Sequence, residues 1–193
     1  MPSIARPYGL IPQKHTGGLP FAGATIMIPI ASGYTSNIAY GDVVRTVAGQ
    51  IQKEVGTTAV TATGVIGVFL GCAYTDPGTK WRVMKTLWPA NTVTADAIAY
   101  VCDDPAAIFQ VQASGSVAAA ALGTNIGLIQ NAVDTAYGVS RVSAGAPAAT
   151  TNTLPLRIVG FVNGTDQVAG DAYTDILVRW NAGMHAYSLP LGA

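Results

Sequence analysis

The clearest pattern along the chain is an alternation of apolar and polar positions near its C-terminal end. In residues 175–182 (DILVRWNA), Ile176, Val178 and Trp180 fall on one side of an extended chain. Since successive side chains of a strand point to opposite faces, this spacing predicts a β-strand with one buried face. The same pattern places Ile158 in the core from the preceding strand.

Short segments of this kind recur along the chain, about ten residues apart, with turn residues between them. They predict an all-β fold, either a β-sandwich or a barrel of short strands. Pro29 cannot donate to a sheet ladder, so it predicts an edge position for the first of these strands. The predicted strands are 24–30, 41–47, 61–74, 80–88, 97–102, 107–112, 154–162 and 175–182.

Two of these strands predict a hairpin. Residues 97–102 (AIAYVC) and 107–112 (AIFQVQ) flank the sequence DDPA, which has Asp and Pro in positions that favour a turn. We therefore expect the two strands to pair with each other.

One short α-helix is predicted near residues 116–122 (SVAAAAL). Gly123 ends the segment, and Ser116 is a candidate N-cap. Residues 143–153 (SAGAPAATTNT) are of low complexity and are predicted to form a loop.

The N-terminal residues 1–23 predict an extended arm, followed by a single β-rich domain at 24–193. Pro7, Pro12 and Pro20 exclude a helix through this segment. Its apolar residues set it apart from a solvated disordered tail, so we expect it to lie largely outside its own core and to contact a neighbouring subunit. The apolar residues expected to contact the neighbouring subunit are Leu10, Ile11, Leu19 and Phe21.

The composition predicts a surface with few charged side chains. Charged residues make up 10% of the 193 residues, with ten basic and ten acidic side chains, against about 25% in an average domain. A nucleic-acid binder needs a basic footprint, which the sequence lacks. Polar uncharged residues must solvate the surface, or partners must cover much of it.

Cysteine use and hydropathy bear on the compartment. Cys72 and Cys102 lie in apolar segments, so we expect buried free thiols, with a disulfide as the alternative. The longest apolar run, 65–74, is shorter than the roughly 20 residues that span a bilayer. The N-terminal segment lacks the apolar region of a signal peptide, so we expect assembly in a reducing cytoplasm.

The residues offer few candidates for chemistry. His15 and His185 are the two histidines, and neither has a second ligand at metal-binding spacing. Phosphate-binding, dinucleotide-binding and nucleophile-elbow motifs are missing from the sequence. Asp103 and Asp104 fit a turn better than an acid–base pair. We expect no enzymatic activity, no cofactor and no metal.

Three further sets of residues leave alternatives open. Asp166, Asp171 and Asp175 could supply oxygens to a calcium ion or could lie in an ordinary polar connection. Arg141 and Arg157 have no obvious local partners. The three tryptophans are candidates for the core or for an interface, and they are Trp81, Trp88 and Trp180.

Four blocks of the chain, in order, resemble a family of tailed-bacteriophage head proteins described as capsid cement, decoration or virion structural proteins. Each block alone has low specificity, but their order supports the resemblance, which covers most of the chain. The blocks are RPYGLIPQKHTGGLPFAGAT at the arm, YGDVV at 40–44, YVCDDPAAIFQVQASGSVA at 100–118 and TNTLPLRIVGFVNGTDQVAGDAYTDILVRWNAGMH at 151–185.

The resemblance implies a non-enzymatic protein of the virion, on the outer surface of an icosahedral head. It implies a homotrimer at local three-fold positions, with the major capsid protein as partner and with neither nucleic acid nor membrane bound. The alternatives are another virion component, such as a tail, neck or fibre protein, and a β-sandwich module that binds a surface or a carbohydrate. The expected capsid-contact residues of the arm are Arg6, Pro7, Tyr8, Leu10, Ile11, Pro12, His15, Leu19 and Phe21.

Overall fold

Two curled antiparallel sheets form the fold of this chain, for which the structure is a computed structural model. The structure describes residues 4–56, 64–162, 164 and 167–189. Within these residues, fourteen strands account for almost all of the regular structure, and the helical segments are two single 3₁₀ turns. The prediction of an all-β fold is confirmed.

The first sheet has six strands and curls back on itself. At the end of β10, Ala113 forms a parallel bridge with Ala144 of β12, which brings the second strand of the sheet against the last one. In spatial order the strands are β1 (Ile11–His15), β10 (Ala107–Gln112), β14 (Asp175–Trp180), β13 (Leu156–Phe161), β11 (Asn125–Ile129) and β12 (Ser143–Ala149).

The second sheet curls in the same way. Ile30, just after β2, forms a parallel bridge with Ile51 of β5, at the opposite edge of the sheet. Its order is β2 (Ile26–Pro29), β9 (Ile98–Cys102), β6 (Gly67–Thr75), β4 (Val43–Val47) and β5 (Gln50–Lys53), with β7 (Arg82–Lys85) paired to β6. A separate short pair joins β3 (Ile38–Ala39) to β8 (Leu87–Trp88).

Each sheet encloses a hydrophobic core of its own. In the first core, Phe109 and Trp180 pack with their rings 5.6 Å apart. In the second core, Tyr74 and Trp88 meet edge to face at 5.2 Å. Val68 and other residues of the second sheet's outer face join the first core, so the two barrel-like sheets pack directly against each other.

The alternating pattern at the C-terminal end predicted the burial correctly. Ile158, Ile176 and Val178 are fully buried, and Trp180 is 2% exposed. β13 and β14 pair antiparallel, with Ile158 opposite Val178. Pro29 lies on β2 at an edge of its sheet, as its missing N–H predicted.

The predicted hairpin is wrong. β9 pairs with β2 and β6 in the second sheet, whereas β10 pairs with β1 and β14 in the first. The residues between them form a crossover that joins the two barrels. The sequence DDPA does form the predicted turn, since Asp104 Oδ1 accepts the Ala106 N–H at 2.7 Å. A turn alone, however, does not determine that the strands on either side of it pair with each other.

The predicted α-helix near 116–122 is also wrong, since only Ala119–Ala121 form a 3₁₀ turn. The Ser116 hydroxyl donates to the Gly170 carbonyl at 2.7 Å instead of capping a helix, and Val117 is buried. A helix this short would gain few hydrogen bonds. Those bonds cannot compete with the tertiary contacts that this segment makes in its non-helical conformation.

The predicted loop at 143–153 contains a strand, β12. Its small residues permit close packing, since a Cβ on Gly145 would lie 3.3 Å from Ile129. The predicted strand 80–88 is divided at Thr86, so that β7 pairs with β6 and β8 pairs with β3. This division turns Trp88 into the second core and leaves Trp81 76% exposed.

Candidate functional site

The N-terminal arm runs along the first sheet as its edge strand. β1 pairs antiparallel with β10, and Ile11 lies opposite Gln110. Leu10 is fully buried in the first core. The arm is extended, as predicted, but the expectation that it lies largely outside its own core is wrong, because its central apolar residues complete the sheet of the same chain.

A close approach between two glycines holds the arm in place. The Gly9 N–H donates to the Val142 carbonyl at 3.1 Å, and the Leu10 N–H donates to the Gly41 carbonyl at 2.9 Å. Gly9 has a φ of +81°, and a Cβ there would lie 2.6 Å from the Ser140 Cβ and 2.7 Å from the Gly41 oxygen. Only glycine fits this position.

Asp42, next to Gly41, organises the surface that receives the arm. Its side chain is fully buried and accepts the Ser140 hydroxyl at 2.6 Å and the Ala39 N–H at 2.9 Å. The Lys53 ammonium lies 3.0 Å from the same carboxylate. These contacts satisfy the buried charge and tie together three separate segments of the chain.

Gln112 fixes the first described residues of the arm. This buried side chain accepts the Arg6 N–H at 2.6 Å and donates to the Ile4 carbonyl at 3.1 Å, as a neighbouring strand would. The guanidinium of Arg6 is exposed and has no ion-pair or hydrogen-bond partner among the described residues.

A turn at residues 134–139 stands opposite Arg6. Asp134 closes it, because its backbone N–H donates to the Val139 carbonyl at 3.0 Å and its Oδ1 accepts the Ala136 N–H at 3.1 Å. The Arg141 guanidinium contacts Asp134 Oδ2 at 2.5 Å, and this hydrogen bond lowers the pKa of Asp134. Arg141 thus has a local partner that the sequence spacing did not suggest.

Between the arm and this turn lies a cleft of about 890 Å³. Asn131 lines it and donates from Nδ2 to the Arg141 carbonyl at 2.7 Å. Tyr137, at the tip of the turn, is 81% exposed. The residues lining the cleft are Ala5, Arg6, Pro7, Asn131, Ala132, Asp134, Tyr137 and Arg141.

The crossover between β9 and β10 binds both the arm and the C-terminal segment. His15 Nδ1 lies 2.6 Å from Asp104 Oδ2, and the Tyr187 hydroxyl donates to Asp103 Oδ2 at 2.9 Å. His185 is buried beside Tyr187, and burial lowers the pKa of its imidazole. The two aspartates therefore act as anchors for the arm and for the C-terminal segment.

The predicted arm residues divide into three groups by exposure. Leu10 is buried and Tyr8 packs inward, where burial and the nearby Asp175 carboxylate raise the pKa of the Tyr8 phenol. Arg6 and Leu19 are exposed, and Leu19 is 70% exposed. The remaining members are partly or largely shielded from solvent, and they are Pro7, Ile11, Pro12, His15 and Phe21.

The aspartates considered for calcium do not form a described site. Asp166 lies outside the described residues. Asp171 accepts the Val168 N–H at 2.8 Å, and Asp175 is buried as the first residue of β14, where burial raises the pKa of its carboxyl group. Among the residues that the structure describes, no three potential ligands are grouped to hold a metal ion.

The prediction that both cysteines are buried free thiols is confirmed. Cys72 and Cys102 are both buried and free. Burial raises the pKa of the Cys72 thiol to about 12 and that of the Cys102 thiol to about 11, so both are neutral at physiological pH.

Sequence reasoning missed most of the cleft. The sequence pattern placed Arg6 and Pro7 in the arm and left Arg141 without a partner, but it gave no role to Asn131 or Tyr137. The usable signal was the sequence DTAYG at 134–138, in which an aspartate and a glycine flank a short stretch that is typical of a tight turn.

Comparison with known proteins found no relative of this chain. No protein-family model, no curated protein and no solved structure matches this chain. Over the residues with described coordinates, no helix has the length and apolar character needed to cross a membrane.

Proposed function

We propose that this chain is a capsid decoration protein that binds the outer surface of a tailed-bacteriophage head and clamps neighbouring major capsid subunits. Three of the four sequence blocks that suggest this family contact one another. Gly9 of the first block rests on Gly41 of the second, and Asp104 of the third holds His15 of the first. The ordered blocks thus correspond to mutually supporting contacts.

The observation that carries the proposal is the exposure of large apolar side chains in a chain with few charged residues. Trp81 is 76% exposed, Met84 75% and Leu19 70%. Exposed aromatic and methionine side chains are enriched at sites of protein–protein contact. A protein that works inside an assembly buries such residues against its partners.

The proposed role is structural rather than catalytic. A trimer at a local three-fold position contacts several capsid subunits at once, so modest individual contacts add up to tight attachment through effective concentration. The corrected position of the arm changes which of its residues contact the shell. Arg6 and Leu19 are available to a partner, whereas Leu10 stabilises the decoration protein itself.

The proposal is tested by mixing the purified full chain with undecorated heads made from the genome that encodes it and sedimenting the heads. We expect saturable binding at a fixed ratio of chain to capsid subunits and heads that resist higher temperature. The double variant Trp81→Ser and Met84→Ser should weaken binding, whereas Thr35→Ala, a small change at another exposed position, should not. Absence of saturable binding by the unmodified chain would overturn the proposal.

A further inference from the structure

Among the described residues, the cleft between the arm and the 134–139 turn has one positively charged side chain without an ion-pair partner. Arg141 is paired with Asp134 at 2.5 Å, so its charge is balanced within the cleft wall. The Arg6 guanidinium, on the opposite wall, has no such partner among the described residues. A guanidinium presents a planar fork of N–H donors that fits a carboxylate with two hydrogen bonds.

Both walls of the cleft are fixed before any partner arrives. Gln112 holds the backbone on either side of Ala5 through the Ile4 carbonyl and the Arg6 N–H. On the other wall, Asn131 and Asp134 tie the turn to the chain on each side of it. A partner therefore orders few backbone groups of this chain on binding, which lowers the entropic cost of association.

The side chains at the rim are those that dominate protein–protein interfaces. Tyrosine and arginine are enriched among the residues that contribute most to binding, and Tyr137 stands 81% exposed in a cleft that also holds two arginines. A second groove of about 210 Å³ shares Ala5, Pro7 and Asn131 with the cleft. Together they provide a continuous path for an extended chain.

We propose that this cleft binds one carboxylate side chain of an extended acidic segment of the partner subunit, with Arg6 donating to the carboxylate and Tyr137 packing against the segment. The inference rests on the proposed function, since it names the contact that a capsid subunit makes here. One unpaired cation matches one monoanion, whereas a nucleic-acid backbone needs a row of lysines or arginines.

The experiment titrates a hexaglutamate peptide with blocked ends into the full-length chain and follows backbone amide signals by NMR. We expect shifts at Arg6 and Tyr137, and at least tenfold weaker binding by the Arg6→Gln variant. The Lys80→Gln variant removes another exposed charge, next to the second sheet, and should bind like the unmodified chain. Tyr137→Ala should weaken binding severalfold, and Tyr137→Phe should restore it.

Equal affinity of Arg6→Gln and the unmodified chain would overturn the inference, and so would an equal loss in Lys80→Gln, which would show diffuse attraction. Shifts in the cleft with alginate but none with the peptide would assign it to an acidic polysaccharide instead. On undecorated heads, full occupancy by Arg6→Gln would defeat the cleft assignment alone. Failure of the unmodified chain to bind heads would defeat the proposed function.

Discussion

At the residue scale, a few positions decide the structure because no other side chain satisfies their surroundings. Gly9 and Asp42 are examples, since one permits a close backbone approach and the other bonds three segments. The sequence showed neither role, because each depends on Ser140, which is about a hundred or more positions away along the chain. By contrast, the burial of Ile176, Val178 and Trp180 was predictable from spacing alone.

Replacement of Trp180 by alanine should destabilise the fold by about 3–5 kcal/mol, because it removes a buried ring from the first core. Trp180 is 2% exposed and packs on Phe109. Trp81→Ala is the matched control, since Trp81 is 76% exposed and its loss should change stability by less than about 0.5 kcal/mol. Chemical denaturation of the two variants checks this, and similar midpoints would refute the assignment of Trp180 to the core.

Gly9→Ala should destabilise the protein by about 1–2 kcal/mol through left-handed strain and by about a further 1–3 kcal/mol through overpacking. The second contribution comes from the contacts with Ser140 and Gly41. Gly18→Ala isolates the first, because Gly18 has a φ of +84° and open space around it. If thermal unfolding shows equal losses in both variants, the close approach at Gly9 does not constrain the arm.

The two thiols should be unreactive in the folded protein at pH 8 and reactive after unfolding in urea, as measured with a chromogenic disulfide reagent. Burial raises the pKa of Cys72 to about 12 and of Cys102 to about 11, against an ordinary value of 9.0. Folded-state thiols therefore keep their protons longer than unfolded ones. Their contribution to stability is complete below pH 9 and is lost as pH rises from 9 through 11 and 12. Rapid labelling of native protein at pH 8 would contradict this.

At the element scale, strands with strict alternation were predictable, while strands built from small or polar residues were not. Predicted strands at 107–112 and 175–182 match β10 and β14 closely. β12 was missed because alanine and glycine give no period-two signal, and β1 was missed because Pro12 cannot donate to a sheet ladder. An edge position resolves the second case, since an edge strand bonds on one side only.

Pairing between strands was the least predictable property of the elements. Sequence neighbours β9 and β10 belong to different sheets, because the tight DDPA turn serves as a crossover between barrels. Their partners come from distant parts of the chain, such as β2 and β14. Periodicity fixes which face of a strand is buried but carries no information on which strand lies beside it.

Deletion of residues 2–18 should destabilise the domain substantially and expose the edge of β10. The deletion removes β1 and Leu10, and Leu10→Ala alone should cost about 2–5 kcal/mol. Replacement of Lys14, an exposed residue of the same strand, by alanine should leave stability nearly unchanged. Denaturation curves and hydrogen exchange of the β10 amides measure the effect, and an unchanged midpoint after deletion would show that the arm is dispensable for folding.

At the scale of the whole molecule, the two barrel-like sheets share a buried interface, and the crossover between β9 and β10 binds both the arm and the C-terminal segment. Asp103 and Asp104 receive Tyr187 and His15, so the arm and the C-terminal segment meet where the barrels join. The chain has few charged residues, and its two barrel-like sheets present Trp81, Tyr137 and other large side chains to solvent. Exposed side chains of these types suit a part in a larger assembly.

The most direct measurement of the proposed function is cryo-electron microscopy of heads produced with and without this chain. The account predicts difference density on the outer head surface at local three-fold positions, in which three copies of the two-barrel structure fit. It also predicts that the cleft beside Arg6 faces a capsid subunit. Identical outer surfaces in the two samples, or density confined to the tail, neck or fibres, would contradict the account.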